Sequence, residues 1–457
     1  MRTLGKRVGG NPTWVRIPPS PPMTRRLVDG MNATVKTVLT ADRLFDGVTA
    51  QTQSNVALLL HEARIEAVGP IELMKKVAGP AATYIHYGDA CVSPGLIDGH
   101  THTTLAADGR SYKELFSESD EMMAMVGVMN LQAHLRSGVT TVREHGSRNK
   151  LGFALREGLK RGYFGGPRML VSGRPITQPD GHFHFCNGTA QTEQEIRTAI
   201  RQLVAEGADY VKIMASGGGT EGTDPSKASY STSELEAAVH ESHHLGVLTA
   251  AHCRATESMA RALQAGVDLM EHAEFLSDNG TLIFDPKIAQ QLADDDIFIS
   301  PTLQAWTNFP RIIELSARRS AGRFGLAQEA ELQRLLLRKN ERLSIMRRLL
   351  DYGIHERIVP GTDSGPGLIA FGHMDYDLQL LVEAGLTPGE ALMAATRTSA
   401  TAIGRASDLG TLEAGKIADI VVFGGDPTQD ISKVSEILAV YLEGRVVHDR
   451  VNEIAVR

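Results

Sequence analysis

The sequence predicts an α/β fold: a (β/α)8 barrel of the TIM type beside a small composite β-sandwich formed from both chain ends. Two observations predict it. Short apolar strands alternate with amphipathic helical patterns through the middle of the chain, and runs of strands without helices bracket that middle. A length of 457 residues allows one large domain with appendages or about three small ones.

The opening run has strands expected at 35–39, 56–60 and 64–68, the last ended by Gly69-Pro70. The closing run has strands at 418–423, ended by Gly424-Gly425, and at 438–447, interrupted at Glu443-Gly444. Between them eight strands are expected, at 92–97, 139–143, 169–172, 210–214, 247–251, 267–270, 297–300 and 358–359, with helical patterns over 192–206, 232–245 and 328–350 among the intervening segments. Eight βα units in this length suit a barrel better than an open doubly wound sheet. The expected division is a leader at 1–32, sandwich pieces at 33–92 and 406–457, and the barrel at 93–405.

Composition narrows the function. Hydrophobic residues make up 42% and charged residues 22%, ordinary globular usage that excludes a disordered or fibrous chain. No apolar run approaches the roughly 18 residues of a spanning helix. Cys91, Cys186 and Cys253 are too few and too far apart for a disulfide framework, which suits a reducing compartment and a cytoplasmic protein. Net charge is -7, but residues 1–30 carry six Lys or Arg against Asp29, which leaves the remaining chain at -12. An acidic body offers nucleic acid no electrostatic footprint. The leader, with Pro12, Pro18, Pro19, Pro21 and Pro22 and no apolar h-region, is not a secretory signal. It fits a disordered tail, an organellar address or residues upstream of a start at Met23 or Met31, and the last is favoured.

A barrel carries its chemistry at the C-terminal ends of its strands. There stand His100 and His102 after the first strand, Lys212 in the fourth, His252 after the fifth, His272 after the sixth and Asp363 past the eighth. In extended backbone the spacing of two puts His100 and His102 on one face, so one ion can take both. Two further imidazoles and a carboxylate at the same mouth give nitrogen and oxygen donors suited to zinc or a similar divalent ion. Singly, each has a plain structural explanation; Asp363 before Ser364-Gly365 could be a turn former. Chance placement does not explain all six at strand ends.

Two motifs are decoys. His240-Glu241-Ser242-His243-His244 matches H-E-x-x-H, but at about 100° per residue from Leu235 the two outer histidines fall at about 140° and about 180°, away from the apolar stripe. Gly217 to Gly222 fits G-x-G-x-x-G, yet no helical pattern opens before Thr232, so phosphate would find no helix N-terminus.

The segment Cys91-Val-Ser-Pro-Gly-Leu-Ile-Asp-Gly-His-Thr-His102 resembles the opening motif of the metal-dependent amidohydrolase superfamily. Tyr210-Val-Lys-Ile-Met-Ala-Ser-Gly-Gly-Gly219, Ala250-Ala-His-Cys253, Met270-Glu-His272, Pro360-Gly-Thr-Asp363 and Gly410-Thr-Leu-Glu-Ala-Gly-Lys-Ile-Ala-Asp419 follow in the order that family shows. The branch it resembles is the imidazolonepropionase-like one, with Xaa-Pro dipeptidases, ochratoxin-type amidases and phenylurea or thiocarbamate hydrolases. The resemblance implies two divalent ions, zinc first, with iron, manganese or cobalt as alternatives. It places one on His100, His102 and Asp363, the other on His252 and His272, with Lys212 bridging as a carboxylated lysine. It also implies a small-molecule substrate, and a homo-oligomer is expected. A deaminase would carry His-x-x-Glu after the fifth strand, whereas the third residue past His252 is Ala255.

The implied chemistry is hydrolysis of a C–N bond. A bound ion lowers the pKa of water from 15.7 to about 7, and Asp363 passes the proton to the departing nitrogen. His182 on the third loop, Arg143 and His145 after the second strand, and Tyr230 before the 232 helix are candidate substrate contacts. His182 could equally be a plain loop histidine, and Arg143 could equally pair with Glu144 or a neighbouring acid. Cys253, one residue past His252 on the strand, points the opposite way into the core. Trp306, Phe183 and Phe185 on loops at this face suggest an apolar wall, though they could equally pack the loops against each other. With the body at -12, an anionic substrate is repelled unless Arg143 or Arg174 compensates. The expected substrate is therefore a small neutral amide, urea or carbamate, aryl-bearing, with an Xaa-Pro dipeptide or N-acyl amino acid as the alternative. A metal-free scaffold on the same fold is the non-enzymatic alternative.

Because residues 1–30 have no apolar periodicity to pack, a chain started at Met31 is expected to keep the melting temperature and turnover of the full chain. A large loss of either would show that the leader docks on the body.

Overall fold

A computed structural model describes residues 35–451; the expected leader and the starts at Met23 and Met31 lie outside the described residues. Parallel strands Leu96–Thr101, Val139–Glu144 and Arg168–Val171 form one sheet in that order. Tyr210–Ile213, Leu248–Ala255, Leu269–Leu276 and Phe298–Ser300 form a second. Single backbone bonds join the two. Ile176 donates to Lys212 O at 2.8 Å and accepts from Met214 N at 2.8 Å. Val359 N donates to Ile299 O at 2.8 Å, and Gly99 N to Pro360 O at 2.9 Å, which returns the hydrogen bonding to the first strand.

The last expected strand, 358–359, is not a ladder but a series of isolated bridges, Ile299 to Ile358 and Thr101 to Ser364. The sequence explains this, because Pro360 has no N–H to give and Asp363 sits at φ 52°, outside the β region. The first expected strand, 92–97, is two. Ala90–Pro94 pairs antiparallel with Ile420–Gly424, and Leu96–Thr101 starts the parallel set. Gly95 divides them where a Cβ would lie 2.1 Å from Thr140 Oγ1, so the expected boundary at 92/93 falls inside Ala90–Pro94.

Strands from both chain ends share one sheet, in the order Arg445–Asp449, Ile437–Leu442, Ile420–Gly424, Ala90–Pro94, Arg43–Phe45, Thr52–Gln53. A four-stranded sheet, Arg64–Pro70, Val56–His61, Thr37–Thr40 and Thr83–His86, contributes Leu39, Leu58, Leu60 and Ile65 to the same buried cluster as Val92, Ile420, Val422 and Tyr441. The helices start where the caps allow. Thr192 and Ser231 each close a capping box, with Glu195 and Glu234, ahead of Glu193–Ala205 and Thr232–His244. His240 and His244 are exposed, Glu241 is tied to Arg201 at 2.6 Å, and no helix lies between 214 and 231 after the glycine run. No helix among the described residues is long and apolar enough to cross a membrane.

Asp98 fastens the first strand to the last segment. Its Oδ1 accepts from His100 N at 3.1 Å and Thr362 N at 3.0 Å, and its Oδ2 accepts from Thr362 Oγ1 at 2.7 Å. His134 Nε2 lies 3.1 Å from Oδ2 outside hydrogen-bond geometry, its Nδ1 accepts from Gly372 N at 2.9 Å, and the His134 and Asp98 side chains are fully buried. Asp98→Ala removes a buried carboxylate from donors that find no water, so a loss of about 3 kcal/mol is expected. A lower urea midpoint at unchanged m-value checks it.

Candidate metal centre

His100 and His102 leave the first strand on one face and meet Asp363, which the fastened last segment delivers. Asp363 Oδ1 lies 3.4 Å from His100 Nε2 and 3.2 Å from His102 Nε2, and the two nitrogens are 3.4 Å apart. These are the edges of a tetrahedron about an ion with bonds of about 2.1 Å. His100, His102 and Asp363 form one group able to hold a cation.

A second pair of donors stands beside it. His252 Nε2 is 3.1 Å from Gly217 O, which can only accept, so the proton sits on Nε2 and the Nδ1 lone pair faces His272 Nε2 at 2.8 Å. His272 Nδ1 lies 2.7 Å from Thr302 Oγ1 and accepts from Trp306 Nε1 at 2.8 Å, which puts the neutral ring's proton on Nε2, shared with His252 Nδ1; ligation through Nε2 would require Nδ1–H to turn to Thr302. The His100 and His272 ring centres are 5.1 Å apart, so the two donor sets share one chamber. Lys212 is fully buried in strand four and its Nζ has no hydrogen-bond partner. Burial pushes this ammonium down to about 8, with Arg143 adding repulsion and Glu271 and Asp363 opposing. An unpartnered buried amine among five metal-type donors fits a ligand that becomes one on taking up carbon dioxide. Burial also holds His102, His252 and His272 below the ordinary histidine range, leaving them neutral as ligation requires.

Glu271 is the residue that sequence reasoning missed. Its Oε2 lies 2.7 Å from His100 Nδ1 and its Oε1 2.5 Å from His145 Nε2. Burial alone would raise this carboxyl; His145, Lys212 and His100 hold it well below the carboxylate range. As an anion it accepts the His100 Nδ1 proton and so frees Nε2 for the chamber. His100, His145 and Glu271 also stand close enough to be a cation site of their own, but these contacts are hydrogen-bond lengths. Neighbours on a strand alternate faces, which hid Glu271 beside His272; left-handed φ values of 68° at His272 and 44° at Ala273 break the alternation.

The other candidates divide. His145 is in the chamber wall, between Glu271 and Tyr210 OH at 2.6 Å. The His182 ring lies 4.6 Å from that of His252, tilted by 49°, and its Nδ1 meets Thr220 Oγ1 at 2.8 Å; Gly218 leaves it room, for a Cβ there would lie 2.4 Å from Nε2. Arg143 is buried over the Tyr210 ring at 3.9 Å rather than paired with Glu144. Tyr230 is not among the residues brought together. Its hydroxyl donates to Ala190 O at 2.7 Å within the main apolar cluster. Arg174 is spent on Glu206 at 2.8 Å. Cys253 is buried with its thiol toward Ser258 O at 3.7 Å. Phe183 packs on His102 at 4.5 Å, and Trp306 lies in a short helix, Leu303–Thr307, instead of a loop.

The amidohydrolase family matches residues 91–447. Ochratoxinase of Aspergillus niger is 26% identical over 438 residues, covering 88% of this chain and 84% of that protein. Imidazolonepropionase of Symbiobacterium thermophilum is 26% identical over 393 residues, covering 80% and 83%. The structure of a Xaa-Pro dipeptidase with bound methionine in its active site is similar at a TM-score of 0.75 and 24% identity, covering 90% of this chain and 99% of that one, a likeness of fold.

Glu271→Gln keeps the shape of the bridge but weakens its hold on the His100 tautomer. Divalent-ion affinity, measured by competition with a chromogenic chelator, is expected to fall roughly 10- to 100-fold.

Proposed function

Because the chain belongs to the amidohydrolase family it is a hydrolase of C–N bonds, and we propose that it cleaves a small amide, urea or carbamate at a two-metal centre. His100, His102 and Asp363 would hold one ion and His252 and His272 the other, with Lys212, once carboxylated, as the ligand the two sets would share. The observation that carries this reading is the set of contacts between Asp363 Oδ1 and the His100 and His102 Nε2 atoms, at 3.4 and 3.2 Å, with no proton required between the two nitrogens 3.4 Å apart. The same reading takes the returning parallel strands as a (β/α)8 barrel, and the two sheets sharing a core as the composite sandwich, with the chain crossing at Gly95 rather than at 92/93.

Divalent ions supply Lewis acidity and a more acidic water, and zinc suits this nitrogen and oxygen donor set. The residues do the rest. His100 and His145 hold Asp363 and Glu271 ionised at neutral pH through their proximity. Asp363 Oδ2 makes no hydrogen bond among the described residues. It is placed to take a proton from the attacking water and return it to the leaving nitrogen, which departs only when protonated. His182 is placed to contact the substrate carbonyl side, His145 with both ring nitrogens engaged holds Glu271 in place, and Phe183 and Trp306 exclude water.

The sequence favours a neutral, aryl-bearing substrate. One observation favours the second reading, a dipeptide or N-acyl amino acid: Arg254, rather than Arg143 or Arg174, brings a cation to the chamber.

Two divalent ions per chain are expected by elemental analysis, with activity lost on chelation; a fully active metal-free protein would overturn the reading. Lys212→Ala is expected to fold and to bind one ion, with short carboxylic acids partly restoring the second. Carbon dioxide reacts only with the neutral amine, whose fraction in a group titrating at about 8 rises roughly fifty-fold from pH 6 to pH 8. At fixed dissolved carbon dioxide, the rate at which a 13C carbamate signal appears on the apoprotein should rise with pH and level off above about 8. A profile still climbing at pH 10 would show an ordinary lysine.

A further inference from the structure

Two residues past His252 on strand Leu248–Ala255 stands Arg254, and two past His272 on the adjacent strand Leu269–Leu276 stands Glu274. Arg254 Nε donates to Glu274 Oε2 at 2.5 Å, and the guanidinium carbon lies over the Trp306 ring, 3.9 Å from its centre. Trp306 in turn donates to His272, so the stack borders the proposed metal chamber. The arginine is 8% exposed, yet its two terminal nitrogens make no hydrogen bond among the described residues. Neither terminal nitrogen is fully enclosed, so both are open to an incoming acceptor.

Charge points the same way. Glu274 is a single anion facing two buried cations, because Arg342 of helix Leu326–Leu350 donates to the Glu274 and His272 carbonyls at 3.2 and 3.1 Å and brings no carboxylate with it. Burial pushes Arg342 down to about 10, with Glu274 opposing, which still leaves it charged. The cluster therefore keeps a surplus positive charge one step outward along the strands from His252 and His272. In a chain whose body carries -12, this is a local exception. A planar guanidinium fixed at Nε and on one face presents its remaining edge in the geometry that pairs with a carboxylate.

We propose that Arg254, propped by Glu274 and Trp306, binds a carboxylate carried by the substrate and so selects N-acyl amino acids or dipeptides over neutral amides. This inference rests on the proposed C–N hydrolysis at the same site and adds the substrate's charge to it. Glu274 and Trp306 are positioning residues: one fixes the Nε edge, the other the plane.

The test compares kcat/KM for N-benzoyl-L-phenylalanine and its carboxamide, read as benzoate release by the metal-loaded protein. The acid is expected to be preferred by tenfold or more. In Arg254→Gln the ratio is expected to collapse toward one, chiefly through KM for the acid, while Arg254→Lys keeps part of it. Since Arg254→Gln removes the hydrogen-bond partner of Glu274 and could unfold the chain, the double variant Arg254→Gln/Glu274→Gln, in which two amides can pair while Arg342 keeps its two backbone carbonyls, is measured beside it. An unchanged ratio in either folded variant overturns the assignment. Should the parent turn over neither compound, the hydrolysis reading fails for this class, and equilibrium binding of N-benzoyl-L-phenylalanine decides Arg254 separately. Binding tenfold tighter to the parent than to the double variant supports the carboxylate site; equal binding overturns it.

Discussion

The arrangement depends on the fastening of the last parallel segment to the first strand through Asp98. Pro360 and the left-handed Asp363 deny this segment a regular ladder, so backbone pairing alone cannot fix its register. Asp98 substitutes for the missing ladder by accepting from His100 N and both donors of Thr362. A carboxylate two residues from His100 thus sets where Asp363 falls, and with it the first set of proposed ligands. The strain of a non-glycine residue at φ 52° is held in place by these bonds.

The chamber is an electrostatic balance at low dielectric. Five imidazoles kept neutral by burial would be a poor neighbourhood for two carboxylates, yet Glu271 and Asp363 remain anionic because nearby nitrogens and Lys212 stabilise them. Glu271 serves two histidines at once, which couples the ligand face at His100 to the wall at His145 and onward to Tyr210, whose hydroxyl also reaches Glu144 O at 2.5 Å. Removal of any member would leave a buried polar atom without a partner, which explains why so much of this interior is polar without being loose.

Much of this was legible in sequence where the period of two holds. His100 and His102, the apolar strands and the capped helices follow from alternation and capping. What escaped lies where alternation fails or where a partner comes from another strand. Glu271 reads as the opposite face from His272 until the left-handed φ values turn it inward. Arg254 was overshadowed by its neighbour Cys253, although His-x-Arg and His-x-Glu on consecutive strands repeat the spacing that singled out His100 and His102. Tyr230 carried a plausible signal, a hydroxyl just before a helix, but its packing against Ala190 is a tertiary fact that local pattern does not encode.

The glycine run after strand four imitates a phosphate loop, but its smallness answers to an imidazole. With Nε2 of His182 occupying the place of a Cβ on Gly218, the two positions cannot drift independently. Any side chain at 218 evicts the ring, and a smaller residue at 182 opens a void that the bare backbone cannot fill. Along a lineage of such chains these sites would be expected to change together or not at all, so the apparent nucleotide signature is accounted for here by the histidine the loop shelters.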